Sequence, residues 1–193
     1  MKIFALDSSD SSAFSICIVD NNNTLFKKSF NIKFTENFFD VIKSIPQQYI
    51  HNIDFFTANN GPGSYTGLRS GIAALKGMAM GFGKKLLCQN SFKLHAYNFF
   101  KKNTSDVKEI DIILQSYNKN FFYHQKVNYL FQEITKPCKI SADCANQYQL
   151  SAGNASCCKK KLEASALDLA SLTFYEISKN IYTQYSEIIY ITN

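Results

Sequence analysis

The 193-residue chain contains no tryptophan, only three prolines and a single arginine. It also has no run of about 18 uninterrupted apolar residues, the length that a membrane-spanning helix requires. Asp7 follows only four apolar residues, which does not fit a secretory signal. Hydrophobic residues still make up 46% of the chain, enough for one domain or two small lobes with a buried core. We therefore expect a globular cytoplasmic protein with no membrane contact.

Metal-binding and redox motifs are missing as well. The six cysteines show no Cys-x-x-Cys spacing, and the three histidines lie far apart in the sequence. This pattern is typical of reduced cysteines that pack in the interior, and it predicts no metal site. The net charge of +6 comes from lysines scattered in pairs and one triplet. Such lysines favour a solvated surface over a dedicated nucleic-acid platform.

The first hundred residues predict elements in the order βββαβαβα. Apolar alternation and helical spacing place them as follows: strands at 2–6, 13–19 and 24–34, a helix from about 35 to 46, a strand at 53–58, a helix at 67–81, a strand at 85–88 and a helix from 91 to 100. Beyond a polar joint at 103–108 the pattern is sparser. It predicts a hairpin of 110–114 and 121–130 around a turn at 117–120, helices at 142–150 and 163–179, and an apolar tail at 187–192.

The most informative segment is residues 61–71, Gly-Pro-Gly-Ser-Tyr-Thr-Gly-Leu-Arg-Ser-Gly. It joins a strand to a long helix, for which Thr66 is the predicted N-cap. Gly61 and Gly63 permit positive φ or close backbone approach. A glycine turn at a helix start can bind an anion, but the segment has neither the Walker Lys-Ser/Thr nor the dinucleotide glycine spacing. Anion binding and a turn that merely packs closely both remain open.

Arg69 lies near the start of this helix, where the helix dipole disfavours a cation. Because the other basic residues are lysines, Arg69 is expected to grip a carboxylate or phosphate with its planar guanidinium; the alternative is an exposed side chain without a partner. The small residues Gly67, Gly71 and Ala74 form a flat stripe along the helix. This stripe can pack against the chain's own sheet or against a partner helix, and the sequence does not decide between them.

Two motifs carry a family resemblance: Ile-Phe-Ala-Leu-Asp-Ser-Ser at residues 3–9 and the glycine segment extended through residue 79. Together they resemble the TsaB (YeaZ) family. The resemblance implies an α/β, actin-like ATPase (ASKHA, ribonuclease H-like) fold with two lobes, an N-terminal lobe at 1–102 and a reduced C-terminal lobe at 103–193. It is strong over the first hundred residues and thin beyond them. In the second lobe, residues 116–118 (Ser-Tyr-Asn) replace an Asp-Ala-Arg stretch that is common in the family.

The resemblance also implies a function. TsaB-like proteins are non-catalytic subunits in the synthesis of threonylcarbamoyladenosine, at the adenosine next to the tRNA anticodon. The expected partners are a TsaD-like catalytic subunit, which this chain would bind and activate, a TsaE-like ATPase, and a second copy of the chain when it is alone. Contact with tRNA would be indirect, through the complex. No cofactor of its own is expected, because ATP and a divalent metal would belong to the TsaD-like partner.

The implied partner interface lies on the helix that follows the glycine turn. Its expected residues are Thr66, Gly67, Leu68, Arg69, Gly71, Ile72, Ala74, Leu75 and Met78. The resemblance also places a vestigial phosphate-binding site at Asp7, Ser8, Ser9, Gly61 and Gly63. A polar turn in which Asp and Ser cap local backbone amides explains the same residues.

Two other functions compete with the subunit hypothesis. The first is a stand-alone ATPase or phosphotransferase of the same superfold, with Asp7 positioning Mg²⁺. The second is a peptidase with Ser64 as nucleophile. It is disfavoured, because Gly-Pro-Gly-Ser-Tyr lacks the Gly-x-Ser-x-Gly elbow.

Overall fold

A computed structural model describes residues 1–21, 23–103, 106–116, 121–182 and 187–191. The chain forms two compact units. Unit 1 comprises Met1–Gln89 with Ser165–Ile188, and unit 2 comprises Asn90–Ala164 with Ile189–Asn193. The sequence placed its lobe boundary between residues 102 and 103. In the structure, unit 1 ends at Gln89 and resumes at Ser165, so the last helix belongs to unit 1. A single boundary along the chain does not describe this division.

The regular elements follow the predicted order through the first hundred residues, with one extra short helix. In chain order the elements are β1 (Lys2–Asp7), β2 (Phe14–Asp20), β3 (Asn23–Phe30), α1 (Phe34–Ser44), α2 (Gln47–Ile50), β4 (Phe55–Asn59), α3 (Tyr65–Gly81), β5 (Lys85–Gln89), α4 (Ser91–Lys102), β6 (Glu109–Gln115), β7 (Phe122–Asn128), β8 (Cys138–Ile140), α5 (Ala142–Asn146), β9 (Ser151–Gly153), β10 (Lys160–Lys161) and α6 (Ala166–Ser178).

Unit 1 is built on a five-stranded sheet in the order β3-β2-β1-β4-β5. The β1–β2 and β2–β3 pairs are antiparallel, whereas β1, β4 and β5 run parallel. Successive residues of a strand face opposite sides of the sheet. Phe56 and Ala58 of β4 therefore join the core that includes Ile72 of α3, whereas the Thr57 hydroxyl meets that of Thr173 in α6, 2.8 Å away.

Unit 2 has a second five-stranded sheet in the order β10-β9-β6-β7-β8. The β6–β7 and β7–β8 pairs are antiparallel, and β9 runs parallel to β6. Helix α4 packs on β6, β7 and β9. Its buried face, with Phe92 and Phe99, forms a core together with Ile110, Ile112 and Val127.

Several predicted details need correction. Helix α3 starts at Tyr65 with Ser64 as its N-cap, so Thr66 is not the cap. The helix expected over 142–150 ends at Asn146, because residues 151–153 form β9. The short strands β8, β9 and β10 were not predicted. The expected turn at 117–120 and the end of the tail at Thr192 lie outside the described residues.

The apolar tail has no regular structure over residues 187–191. Ile188 packs against the core of unit 1, and Ile191 packs against the core of unit 2. Across the described part of the chain, none of the helices combines the length and hydropathy that crossing a bilayer requires.

Candidate functional site

The parallel strands of unit 1 bring polar side chains to one edge of the sheet. β1 ends at Asp7, β4 at Asn59 and β5 at Gln89, and Asn59 pairs directly with Gln89 across the sheet. In open α/β sheets, ligands bind outside the carboxyl ends of the strands. This strand-end cluster is therefore the place where the fold would hold a ligand, and it contains all five residues of the predicted phosphate site.

The polar groups of this cluster are largely engaged with one another. Asp7 is buried, and its Oδ1 accepts hydrogen bonds from the Ser9 amide at 3.1 Å and from Asn59 Nδ2 at 3.2 Å. Asn59 Oδ1 in turn accepts from the Gly61 amide at 2.8 Å. The Asp7–Ser9 contact is an Asx turn, in which an aspartate caps a backbone amide two residues later.

The glycine turn is pressed against the turn at residues 8–9. Gly61 has a φ of 103°, a conformation that favours glycine. A Cβ built on Gly63 would lie 2.7 Å from the Ser9 carbonyl oxygen, and the Ser64 amide donates to that oxygen at 2.7 Å. The amides of Ser9, Gly61 and Ser64, which a phosphate would need, thus donate within the protein. The geometry fits local capping better than an open anion cradle.

A divalent metal fits this cluster poorly. Among the residues that the structure describes, no three His, Cys, Asp or Glu side chains come together in a way that could hold a metal ion. Asp7 would be the only carboxylate from the predicted site, and its Oδ1 already accepts two hydrogen bonds.

The start of α3 is held by side chains of the same unit. Ser64 Oγ accepts from the Gly67 amide at 3.3 Å, so this buried hydroxyl acts as a helix cap. Ser8 Oγ donates to the Gly67 carbonyl at 2.9 Å. A Cβ on Gly67 would lie 2.2 Å from the Ser8 carbonyl oxygen, and one on Gly71 would lie 2.1 Å from Ser8 Oγ. The small-residue stripe therefore accommodates the chain's own turn.

This packing narrows the predicted partner interface. Five of its nine residues are buried inside unit 1 and offer no accessible surface: Gly67, Leu68, Gly71, Ile72 and Leu75. Ala74 and Met78 are half-buried, and Thr66 and Arg69 are exposed. The sequence left open whether the flat stripe packs within the chain or against a partner, and in unit 1 Gly67 and Gly71 pack against the turn at Ser8.

The outward surface of the helix, which we call the exposed α3 face, includes Tyr65, Thr66, Arg69, Ala73, Lys76, Gly77 and Met80. Tyr65 is 54% exposed and Met80 is 74% exposed. Neither is among the nine residues of the predicted interface, although positions 65, 69, 73 and 80 follow the helical spacing of one face. That periodicity, counted from the true helix start, is the signal that would have identified them.

Arg69 contacts an aromatic ring one turn earlier on the same helix. Its guanidinium donates to the Tyr65 hydroxyl, and its Cζ lies 5.0 Å from the centroid of the Tyr65 ring. Within the described residues its partner is thus Tyr65 and not the carboxylate that the sequence suggested. Arg stacks on aromatic faces in a way that Lys does not, so the pair displays the planar guanidinium on the exposed α3 face.

Comparison with known proteins places this arrangement in a family. Residues 32–149, more than half of the chain, match the family model described as TsaD: tRNA N6-adenosine threonylcarbamoyltransferase. No curated protein sequence matches the chain.

Solved structures resemble the chain over nearly its whole length. YeaZ from Pseudomonas aeruginosa has a TM-score of 0.76 at 13% identity, covering 98% of this chain and 99% of that one. An uncharacterized protein with similarity to peptidase YeaZ from P. aeruginosa has a TM-score of 0.76 at 14% identity, covering 99% of each chain. Thermus thermophilus RuvC in complex with a Holliday junction substrate has a TM-score of 0.52 at 7% identity, covering 96% and 99%.

At such low identities these structures show the fold, which is the actin-like, ribonuclease H-like α/β fold predicted from the two motifs. Fold likeness alone does not show family membership, whereas the match to the family model does. The chain therefore belongs to the TsaD family, and its fold is that of the YeaZ structures.

Proposed function

We propose that this protein is the non-catalytic subunit of a cytoplasmic complex that makes threonylcarbamoyladenosine in tRNA, and that it binds and activates a TsaD-like catalytic subunit. Family membership links the chain to tRNA threonylcarbamoyl modification. The observation that carries the finer proposal is the exposed α3 face, which presents large apolar side chains and the Tyr65–Arg69 pair to a partner.

The apolar surface near this face extends beyond α3. Helix α1 packs against α3, and its Phe39 is 77% exposed. Phe82, the residue directly after α3, is 43% exposed. Single exposed apolar residues are common, but large ones on two adjacent helices favour a protein contact. Met80 adds a flexible side chain that adapts to a partner surface.

We assign no catalytic role to this chain because the polar side chains of the strand-end cluster form hydrogen bonds within the protein. Asp7, Ser8, Asn59 and Ser64 contact neighbouring segments and stabilise the start of α3. ATP and its divalent metal would then be bound by the TsaD-like partner, and a TsaE-like ATPase would join the complex. The same α3 face would pair two copies of this chain when the partner is absent, and tRNA would be reached through the complex.

The direct test is complex formation with the TsaD-like protein of the same organism. The two full chains are mixed at micromolar concentration and analysed by size-exclusion chromatography with light scattering and by calorimetry. We expect a stable heteromeric peak and an increase in threonylcarbamoyl transfer to tRNA by the partner. Separate elution at these concentrations, where interfaces of moderate affinity persist, would contradict the proposal.

A second candidate is a stand-alone ATPase or phosphotransferase, since Asp7 and Asn59 lie at the edge of the sheet where open α/β folds bind ligands. It predicts magnesium-dependent ATP hydrolysis by the isolated chain that is lost in Asp7→Ala. Asp10→Ala is the matched control, since the Asp10 side chain accepts hydrogen bonds from Ser12 in its own exposed turn. Hydrolysis that persists equally in both variants counts against this candidate.

A further inference from the structure

Unit 2 contains a second cluster of reactive side chains, unrelated to the α3 face. His124 of β7 lies directly across from Cys138 of β8, as cross-strand partners. Asp111 on β6 and Tyr148, just beyond α5, complete the group. The motifs identified in the sequence did not include any of these residues, because they are brought together only by pairing of the strands.

The hydrogen bonds assign the tautomer of the buried His124 ring. Its Nε2 lies 2.8 Å from Asp111 Oδ1. An ionised carboxylate only accepts hydrogen bonds, so Nε2 carries the proton and Nδ1 of the neutral ring is an acceptor. Nδ1 faces the Tyr148 hydroxyl at 3.4 Å and Cys138 Sγ at 3.8 Å, and the thiol also donates to the His124 carbonyl oxygen at 3.8 Å. The Tyr148 ring stacks on the imidazole with centroids 4.4 Å apart.

This geometry provides an exposed thiol with a base beside it. Cys138 is accessible to solvent. Partial burial nevertheless raises the pKa of its thiol, so the sulfur is protonated at neutral pH. Its reaction as a nucleophile then depends on transfer of the proton to His124 Nδ1. Activated side-chain nucleophiles generally have an adjacent base and a third group that orients the base.

We propose that Cys138 is a modification site that undergoes thiol–disulfide exchange with low-molecular-weight disulfides, with His124 as the base and Asp111 as a positioning residue. Cys138 Sγ attacks one sulfur of the disulfide RS–SR while its proton passes to His124 Nδ1. The Cys138–SR bond forms, the RS–SR bond breaks, and the leaving thiolate takes the proton from His124 as RSH. The Cys138 sulfur is oxidised, one RS group is reduced, and the disulfide is the only oxidant.

A disulfide suits this site because its exchange passes through no oxyanion and needs only an exposed sulfur and a base. The other cysteines are less suited. Cys17 and Cys88 are buried, Cys157 and Cys158 are less exposed than Cys138, and burial raises the pKa of Cys158 to about 12. Cys144 is exposed like Cys138, but within the described residues its thiol has no hydrogen bond to a histidine, so it serves as an internal control.

The first experiment uses the unmodified full chain and glutathione disulfide as the probe. Mass spectrometry of peptides over time gives the rate constants for mixed-disulfide formation at Cys138 and Cys144. General-base assistance typically accelerates proton transfer by about a hundredfold or more, so we expect Cys138 to react at least about tenfold faster. Rates within a factor of two of each other would overturn the proposal.

Two variants test the base itself. In His124→Ala the rate at Cys138 should fall to that of Cys144, and added imidazole should restore it at Cys138 alone, which a purely structural role of His124 would not produce. In Tyr148→Phe the stacked ring remains while the competing donor is removed, so the rate at Cys138 should rise. An unchanged or lower rate at Cys138 in Tyr148→Phe contradicts the proposal. If His124→Ala does not fold, this variant and the ratio of the rates at Cys138 and Cys144 in the wild type test the proposal.

Discussion

The Ser8 hydroxyl fills the space left by the missing side chain of Gly71. Its Oγ donates to the Gly67 carbonyl at 2.9 Å and lies where a Cβ on Gly71 would come within 2.1 Å. The turn after β1 therefore packs closely against the start of α3 and is hydrogen-bonded to it. The glycines of this helix accordingly fall into two classes, those that contact the turn and those that face open space.

Alanine substitutions separate these classes. Gly67→Ala and Gly71→Ala should each lower the free energy of unfolding by about 1–3 kcal/mol, because the new Cβ overpacks against Ser8. Gly77 has nothing within 4 Å of its built Cβ, so Gly77→Ala should stabilise α3 by up to about 1 kcal/mol through its helix propensity. Urea denaturation measures all three. Equal effects at positions 71 and 77 would contradict the packing described here.

The corrected N-cap gives a second prediction. Ser64→Ala removes the side-chain oxygen that accepts from the Gly67 amide and should cost about 1 kcal/mol of stability. Thr66→Ala changes an exposed residue inside the helix and should stay within about 0.5 kcal/mol. Thermal unfolding of both variants tests the assignment, and a larger loss for Thr66→Ala would restore Thr66 as the cap.

The exposed α3 face should govern affinity for the TsaD-like partner. Met80→Asp places a charge where the proposed contact excludes water. We expect the dissociation constant to increase at least about tenfold, which is a loss of about 1.4 kcal/mol of binding free energy. Ile134→Asp is the matched control, since Ile134 is 46% exposed but belongs to unit 2. Calorimetry compares the two variants, and equal weakening would remove the α3 face from the interface.

Arg69→Lys tests the guanidinium on the same face. Lysine keeps the charge but loses the planar stacking on Tyr65, so binding should weaken more than in Lys102→Arg, a conservative change at an exposed residue of α4. An unchanged dissociation constant for Arg69→Lys would show that the Tyr65–Arg69 pair does not contact the partner.

The buried thiol of Cys17 makes stability depend on alkaline pH. Burial raises its pKa from 9.0 to about 11. The unfolded chain therefore loses this proton at lower pH than the folded chain, and the stabilisation present below pH 9 is lost as the pH rises towards 11. The free energy of unfolding should fall more steeply over this window in the wild type than in Cys17→Ala. Parallel pH profiles would mean that Cys17 does not contribute.

The element order of the first hundred residues was predictable because it depends on local pattern. Alternation in β1 and β2, the helical spacing after Thr35 and the glycine turn before α3 involve residues within a few positions of one another. The two motifs that identify the family are local in the same way. The short strands of unit 2 escaped prediction because two or three residues carry too little periodicity, and they form by pairing across the sheet: β8 with β7, β9 with β6, and β10 with β9.

The sequence by itself determined that α3 has a flat stripe and an apolar side, since both follow from residue types at fixed helical spacing. Tertiary structure alone decided that the stripe faces Ser8 rather than a partner, and that His124 meets Asp111 and Cys138. Contacts between residues far apart in the chain depend on sheet register and on which side of a helix is buried, and neither is encoded in any short stretch of residues.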